Sequence, residues 1–320
     1  ANRCASDSKQ RPRTTTNLFS PFRDKRKMNH FRNNLARFRL ITFDVTDTLL
    51  EYAVRPERHY AHVINAVLEP RLGLTLREDQ IGPAFGRCFR AMKQQYPNFG
   101  AERRRPTGSE EGWRWWWRTL VERVVVDAAA TGTDRHQAIP APLLRAIAEQ
   151  LIDDYTYDGR RVCWRQRPGV DELLAKLRQP AAPTRTLGIV SNFDPRLEII
   201  LRNNGITPGP PGVVDFVVTS YEARVEKPSA AIFEAALRRA NQLRRAPAGQ
   251  EIRPDEALHI GNLCREDYGG ARSAGWCALL VNVPPNAKNR QLLATIPSGH
   301  VFTGLPELQR RLEQAEPLEW

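Results

Sequence analysis

The sequence predicts an α/β protein: a parallel, doubly wound sheet carrying an inserted helical block. Three observations lead there. From Thr186 onward, short apolar runs alternate with stretches of helical periodicity. An isolated run of the same kind, Leu40–Phe43, stands far upstream and ends in Asp44. Between them, from about Tyr52 to Trp164, apolar residues recur at three- and four-residue spacing without a strand pattern.

The first run continues as L-I-T-F-D-V-T-D-T-L-L over Leu40–Leu50. It suits a buried strand delivering a carboxylate to the C-terminal edge of the sheet, where ligands of open α/β sheets bind. Taken alone, it better suits a strand closed by an Asx-turn aspartate. The insert holds four helical stretches, Glu57–Leu68 behind Pro56, Pro83–Gln95, Ser109–Ala129 and Pro142–Tyr155. Gly73, Pro97–Gly100, Thr131–Thr133 and Pro140 supply the breaks between them. On the third stretch, Trp113, Trp116 and Trp117 share a face and Trp115 points elsewhere. That face reads either as the core of a small bundle or as a surface on which a substrate stacks.

Downstream, the expected strands are Thr186–Val190, Val213–Thr219, Ala257–Ile260, Ala278–Val283 and His300–Phe302. The helices between them are Pro195–Asn203, Ala230–Asn241 and Asp267–Ala274, with Asp171–Leu177 returning the chain from the insert. The domain reading is therefore a basic tail over 1–38, an α/β core over 39–53 and 165–320, and a helical block over 54–164.

Charge is uneven along the chain. The net charge is +12, but eleven Lys/Arg lie in residues 1–39 against Asp7 and Asp24 alone. The remainder is only mildly basic, so the charge does not point to nucleic acid, and no aromatic-basic module follows the tail. The tail is rich in Arg, Ser, Thr and Asn and is expected to be disordered. It begins at Ala1, with Met28 just ahead of the first strand, and its composition also suits a mitochondrial presequence. Five scattered cysteines, with no C-x-x-C pair and no membrane-length apolar run, point to a reducing compartment, the cytoplasm, and to no membrane.

Polar groups recur at the predicted strand ends: Asp44 with Thr48, Ser191 with Asn192, Lys227, and Gly261-Asn262 with Asp267. A parallel sheet gathers such positions at one edge. In this order, each after a strand, they resemble the four motifs of the haloacid dehalogenase superfamily. The resemblance covers the chain from about Arg39 to the C-terminus. It implies a Rossmann-like core, an inserted helical cap and phosphatase-type chemistry on a small phosphorylated or acidic substrate, with Mg²⁺. Asp44 takes the nucleophile's place, Thr48, Ser191 and Lys227 assist it, and Asn192 donates to substrate. The metal positions fall on Asp44, the Thr46 carbonyl, Asn262 and Asp267.

Two departures temper this expectation. Phosphatases of the superfamily usually carry a second Asp two residues after the nucleophile, where this chain has Thr46. Losing general acid help typically costs about 10²–10⁴-fold. Asn262 stands where the first of two metal-site aspartates is usual, removing a negative charge from a site for a hard cation. Arg265, between Asn262 and Asp267, adds positive charge to that loop. Three readings follow: a slow or narrow Mg²⁺-dependent phosphatase, a catalytically impaired binding or regulatory protein, and metal-free dehalogenase-type chemistry.

Overall fold

A computed structural model describes residues 21–102, 112–131, 138–157, 163–179, 185–209, 211–245, 247 and 249–320. Its strands are β1 Leu40–Phe43, β2 Leu50–Tyr52, β3 Trp164–Gln166, β4 Thr186–Ser191, β5 Phe216–Thr219, β6 Ala257–Gly261, β7 Cys277–Val281 and β8 Val301–Phe302. Six form one parallel sheet in the order β5-β4-β1-β6-β7-β8. β1 is central: Phe43 lies beside Ile189 of β4 and Ile260 of β6. The chain winds outward from β1 to β5, then crosses back to β6 on its other flank. That reversal creates the crevice in which doubly wound sheets bind ligands. β1, β4, β6 and β7 are buried throughout, as expected for strands covered on both faces.

β2 and β3 pair antiparallel, Tyr52 opposite Trp164, and carry the chain out of the core and back. Between them lie the helices Pro56–Leu72, Glu78–Gln95, Gly112–Ala130 and Ala141–Tyr157. These bury their own core, including Ile64, Ile81, Trp116, Leu120, Val124 and Leu151. A helix closes on Gly73 at φ 62, a left-handed position suited to glycine. The expected start of the tryptophan helix at Ser109 lies outside the described residues, as do residues 1–20.

The expectation of a disordered tail is corrected over residues 21–38. Pro21–Asn34 is a helix, and Phe31, Leu35 and Phe38 are buried in the main core. Phe38 meets the Trp320 ring edge-on with centroids 4.4 Å apart. Asn34 donates to the Leu312 carbonyl and accepts from the Leu318 N–H. Composition hid this helix: Lys25, Arg26 and Lys27 face water, while a few apolar residues dock against the C-terminal segment. No helix among the described residues is long and apolar enough to cross a membrane.

Candidate active site

Asp44 follows β1 directly, and its N–H donates to the Ile260 carbonyl, extending the ladder by one step. The chain then turns tightly, with the N–H groups of Thr48, Leu49 and Leu50 all reaching the Val45 carbonyl. Asp47 donates to the Leu50 carbonyl from φ 60, a left-handed conformation Asp tolerates better than most residues. The Thr46 carbonyl is left out of the hydrogen bonds that close this turn.

Ser191, the last residue of β4, donates from Oγ to Asp44 Oδ1 at 3.0 Å. Lys227 Nζ reaches Asp44 Oδ1 at 2.7 Å, Asp267 Oδ1 at 2.6 Å and the Val190 carbonyl at 2.9 Å. Its three N–H bonds are thus all used, and the side chain is almost fully buried. The Asn192 carboxamide, expected to donate to substrate, clasps the Lys227 main chain instead: Oδ1 accepts from its N–H at 2.7 Å and Nδ2 donates to its carbonyl at 3.0 Å. Asn192 thereby sets where the ammonium sits.

Asp267 is saturated. Its Oδ2 accepts from the N–H groups of Asn262 and Leu263, and its Oδ1 from Lys227 while also meeting His259 Nε2 at 3.2 Å. Gly261 makes the approach geometrically feasible, since a Cβ there would stand 2.2 Å from Asp267 Cγ. His259, fully buried, links the network to Thr42 through its Nδ1.

The electrostatics follow from this packing. Burial raises the Asp44 carboxyl and the Lys227 ammonium opposes it, while the like charge of Asp267 adds to the rise. Burial would also raise Asp267, but Lys227 and the His259 hydrogen bond outweigh it and hold that carboxyl well below the ordinary range. For Lys227, burial pulls the ammonium down, yet Asp267 and then Asp44 overcome it and raise it. Burial lowers His259, keeping a neutral imidazole beside the ion pairs.

What remains open is as telling as what is paired. Thr48 Oγ1 and Asn262 Oδ1 are buried without a hydrogen-bond partner. Asp44 Oδ2 receives none of the described hydrogen bonds, although its Oδ1 receives two. An unpaired buried polar atom costs about 1–3 kcal/mol, so each of these is a candidate for contact with a ligand. Asp47 is turned to Arg167 at 3.6 Å, which also holds Glu51 at 2.7 Å, and burial raises the Asp47 carboxyl against the pull of Arg167. Arg265 is exposed, and Cys264 is buried with its thiol pushed up by burial.

A second buried cluster was not foreseen. Asp194, fully buried, accepts from Arg196 Nε and Nη2 and from the Trp117 indole at 2.7 Å. Arg196 lies over the Trp117 and Trp113 rings, 4.8 and 5.4 Å from their centroids. The tryptophan face therefore divides: Trp116 fills the helical core, while Trp117 fastens the helical block to the sheet domain. An Asp and an Arg two residues apart just after a strand were the available signal.

The haloacid dehalogenase-like hydrolase family model matches residues 38–275. Rhythmically expressed gene 2 protein of Drosophila melanogaster is 32% identical over 281 residues, covering 87% of this chain and 96% of that protein. Haloacid dehalogenase-like hydrolase domain-containing protein 3 of Bos taurus is 31% identical over 280 residues, covering 88% and 96%. Among solved structures, the HAD-hydrolase YfnB from Bacillus subtilis, bound to magnesium, superimposes with a TM-score of 0.53 at 17% identity, over 87% of this chain and 100% of that one. That likeness speaks for the fold. With the family match spanning both motif-bearing halves of the sheet, the chain belongs to the haloacid dehalogenase-like hydrolase family.

Proposed function

We propose that this chain is a phosphatase-type hydrolase whose nucleophile is Asp44. One observation carries the reading. Of the three buried aspartates among the described residues, Asp194 and Asp267 have both oxygens engaged by two donors each, and Asp44 alone keeps an oxygen open. An anionic carboxylate attacking an anionic phosphate needs fixed positive charge beside it, which Lys227 supplies. The Thr48 hydroxyl lacks a protein partner, which supports a role in donating to the transferring group. Ser191 orients Asp44 from the other flank.

A metal ion suits the open donors. No cluster of three or more His, Cys, Asp or Glu arranged for a metal exists among the described residues. The oxygens left open are Asp44 Oδ2, Asn262 Oδ1 and the Thr46 carbonyl, a hard set of the kind Mg²⁺ takes. They would hold the ion, and Asp267, saturated by its own partners, would act as counter-ion to Lys227. When bound, Mg²⁺ supplies Lewis-acid stabilisation of charge on the phosphoryl oxygens. With Asn262 neutral and Asp44 shared with Lys227, this set binds the ion more weakly than a pair of free carboxylates.

A second reading, a binding or regulatory protein on the same fold, draws on Thr46 in place of an acid. The two separate in one experiment: phosphatase turnover by wild type and Asp44→Asn over a panel of phosphate esters and acyl phosphates, with and without Mg²⁺. Mg²⁺-stimulated turnover lost in Asp44→Asn supports the hydrolase. Absence of turnover in both proteins under every condition overturns it.

A further inference from the structure

Between the helical block and the sheet domain lies a cavity of about 190 Å³, walled by Tyr60, Phe85, Trp117, Tyr155, Phe193 and Arg196 among others. Its wall and the site share a loop: Ser191 donates to Asp44, and Phe193 and Arg196 of the same loop line the cavity. An engineered apolar cavity of about 150 Å³ takes a benzene ring, so this one has room for a single substituted ring.

The chemistry of the wall narrows the occupant. Arg196 brings no net charge, because Asp194 neutralises it through two nitrogens. Glu57, also in the wall, lies 3.8 Å from Arg55. The buried tyrosines stay protonated: burial raises Tyr60 and Tyr155 well above the ordinary phenol. Tyr155 Oη is buried without a partner. The wall thus suits a neutral aromatic ring with one polar substituent.

An independent observation concerns the leaving group. Thr46 cannot protonate it, Asp47 faces Arg167, and Asp267 is saturated. An alkoxide, about as basic as hydroxide with a parent pKa of roughly 16, departs badly without a proton. A phenolate, with a parent pKa of about 10, or a carboxylate, of about 4, departs far more readily.

We propose that the cavity seats the leaving group and that the substrates are aromatic phosphates, aryl or aroyl, whose leaving oxygen departs as a weakly basic anion. This rests on Asp44 acting as a phosphoryl acceptor. In the first step a bond forms from Asp44 Oδ2 to phosphorus, and the bond from phosphorus to the leaving oxygen breaks with its electron pair on that oxygen. In the second step, water attacks phosphorus, the electron pair returns to the Asp44 carboxylate, and the protons of that water leave with the phosphate.

The test combines binding with turnover. Phenol is titrated into wild type, Ile152→Phe and Val121→Phe, two fillings of the cavity from different helices, with folding checked by circular dichroism. Saturable phenol binding weakened at least about tenfold in whichever filled variant folds is expected, from the burial energy of one ring. Failure of phenol to bind wild type, or equal binding in a folded filled variant, overturns the cavity assignment. Turnover is then compared for phenyl, benzoyl, benzyl and acetyl phosphates. Phenyl and benzoyl phosphates are expected to exceed benzyl phosphate by at least about 10²-fold in kcat/KM. Benzoyl should exceed acetyl phosphate by about 10-fold or more. Benzyl phosphate turning over as fast as phenyl phosphate overturns the substrate class. Asp44-dependent turnover of acetyl phosphate without phenol binding overturns the cavity assignment and spares the phosphatase reading. No turnover of any donor overturns that reading and the substrate class with it.

Discussion

Two buried ionic clusters flank the loop from Ser191 to Arg196, and they are finished differently. At one end, Asp194 accepts four hydrogen bonds from Arg196 and Trp117, and indole rings cover the guanidinium. At the other, Lys227 bridges Asp44 and Asp267, and Asp44 Oδ2, Thr48 Oγ1 and Asn262 Oδ1 are left open. Both clusters bear the desolvation cost of buried charge. The closed one recovers it within the protein and serves as a clamp. The open one leaves part of it unrecovered, which is expected where a ligand must complete the set. Saturation, more than burial or charge, separates Asp194 and Asp267 from Asp44, the proposed nucleophile.

The contrast can be broken by exchanging carboxylates for amides. Asp44→Asn is expected to lower turnover by about 10⁴–10⁶-fold, the range for loss of a nucleophile. Its folding stability should change little or rise, because burial penalises that carboxylate. Parallel kinetics and urea denaturation check both halves. Asp194→Asn should do the reverse, costing about 3–5 kcal/mol by leaving the Arg196 charge uncompensated. Similar stability losses in the two variants would erase the distinction.

Thr46→Asp sharpens the chemistry. A carboxylic acid at that position should raise kcat for benzyl phosphate by about 10²-fold or more and leave phenyl phosphate nearly unchanged. The pH dependence of stability sharpens the electrostatics. Asp267 sits below its ordinary value of 3.8 in the folded state. Its ionised form therefore stabilises the fold fully above that pH, and the contribution is lost as pH falls below it toward the folded value. Melting temperature measured through that acid range should drop more steeply in wild type than in Asp267→Asn. The smallest effect is expected from Trp117→Phe, which removes one hydrogen bond to Asp194 that Arg196 still partly satisfies. A loss of about 1 kcal/mol in denaturation is predicted.

Much of the core was legible in the sequence, because strands covered on both faces leave apolar runs and a parallel sheet returns their C-terminal ends to one edge. Asp44, Ser191, Lys227 and Asp267 were named on that ground, and they do meet within hydrogen-bonding distance. The hidden parts depend on pairings that one-dimensional patterns do not carry. Asn192 was read as a donor to substrate, but which group a carboxamide clasps depends on the neighbouring loop. The helix at Pro21–Asn34 was hidden by its charge, since its anchoring partners lie at Leu312, Leu318 and Trp320, at the far end of the chain. Likewise, His259 and Arg196 became visible only through what they touch.

As the proposed nucleophile, Asp44 Oδ2 must accept a phosphoryl group. The most direct measurement incubates the protein with benzoyl phosphate, quenches it in acid and maps phosphorylation by peptide mass spectrometry. One phosphoryl group is expected on the peptide carrying Asp44 and none in Asp44→Asn. Label retained by Asp44→Asn, or turnover in wild type with label only elsewhere, would contradict it.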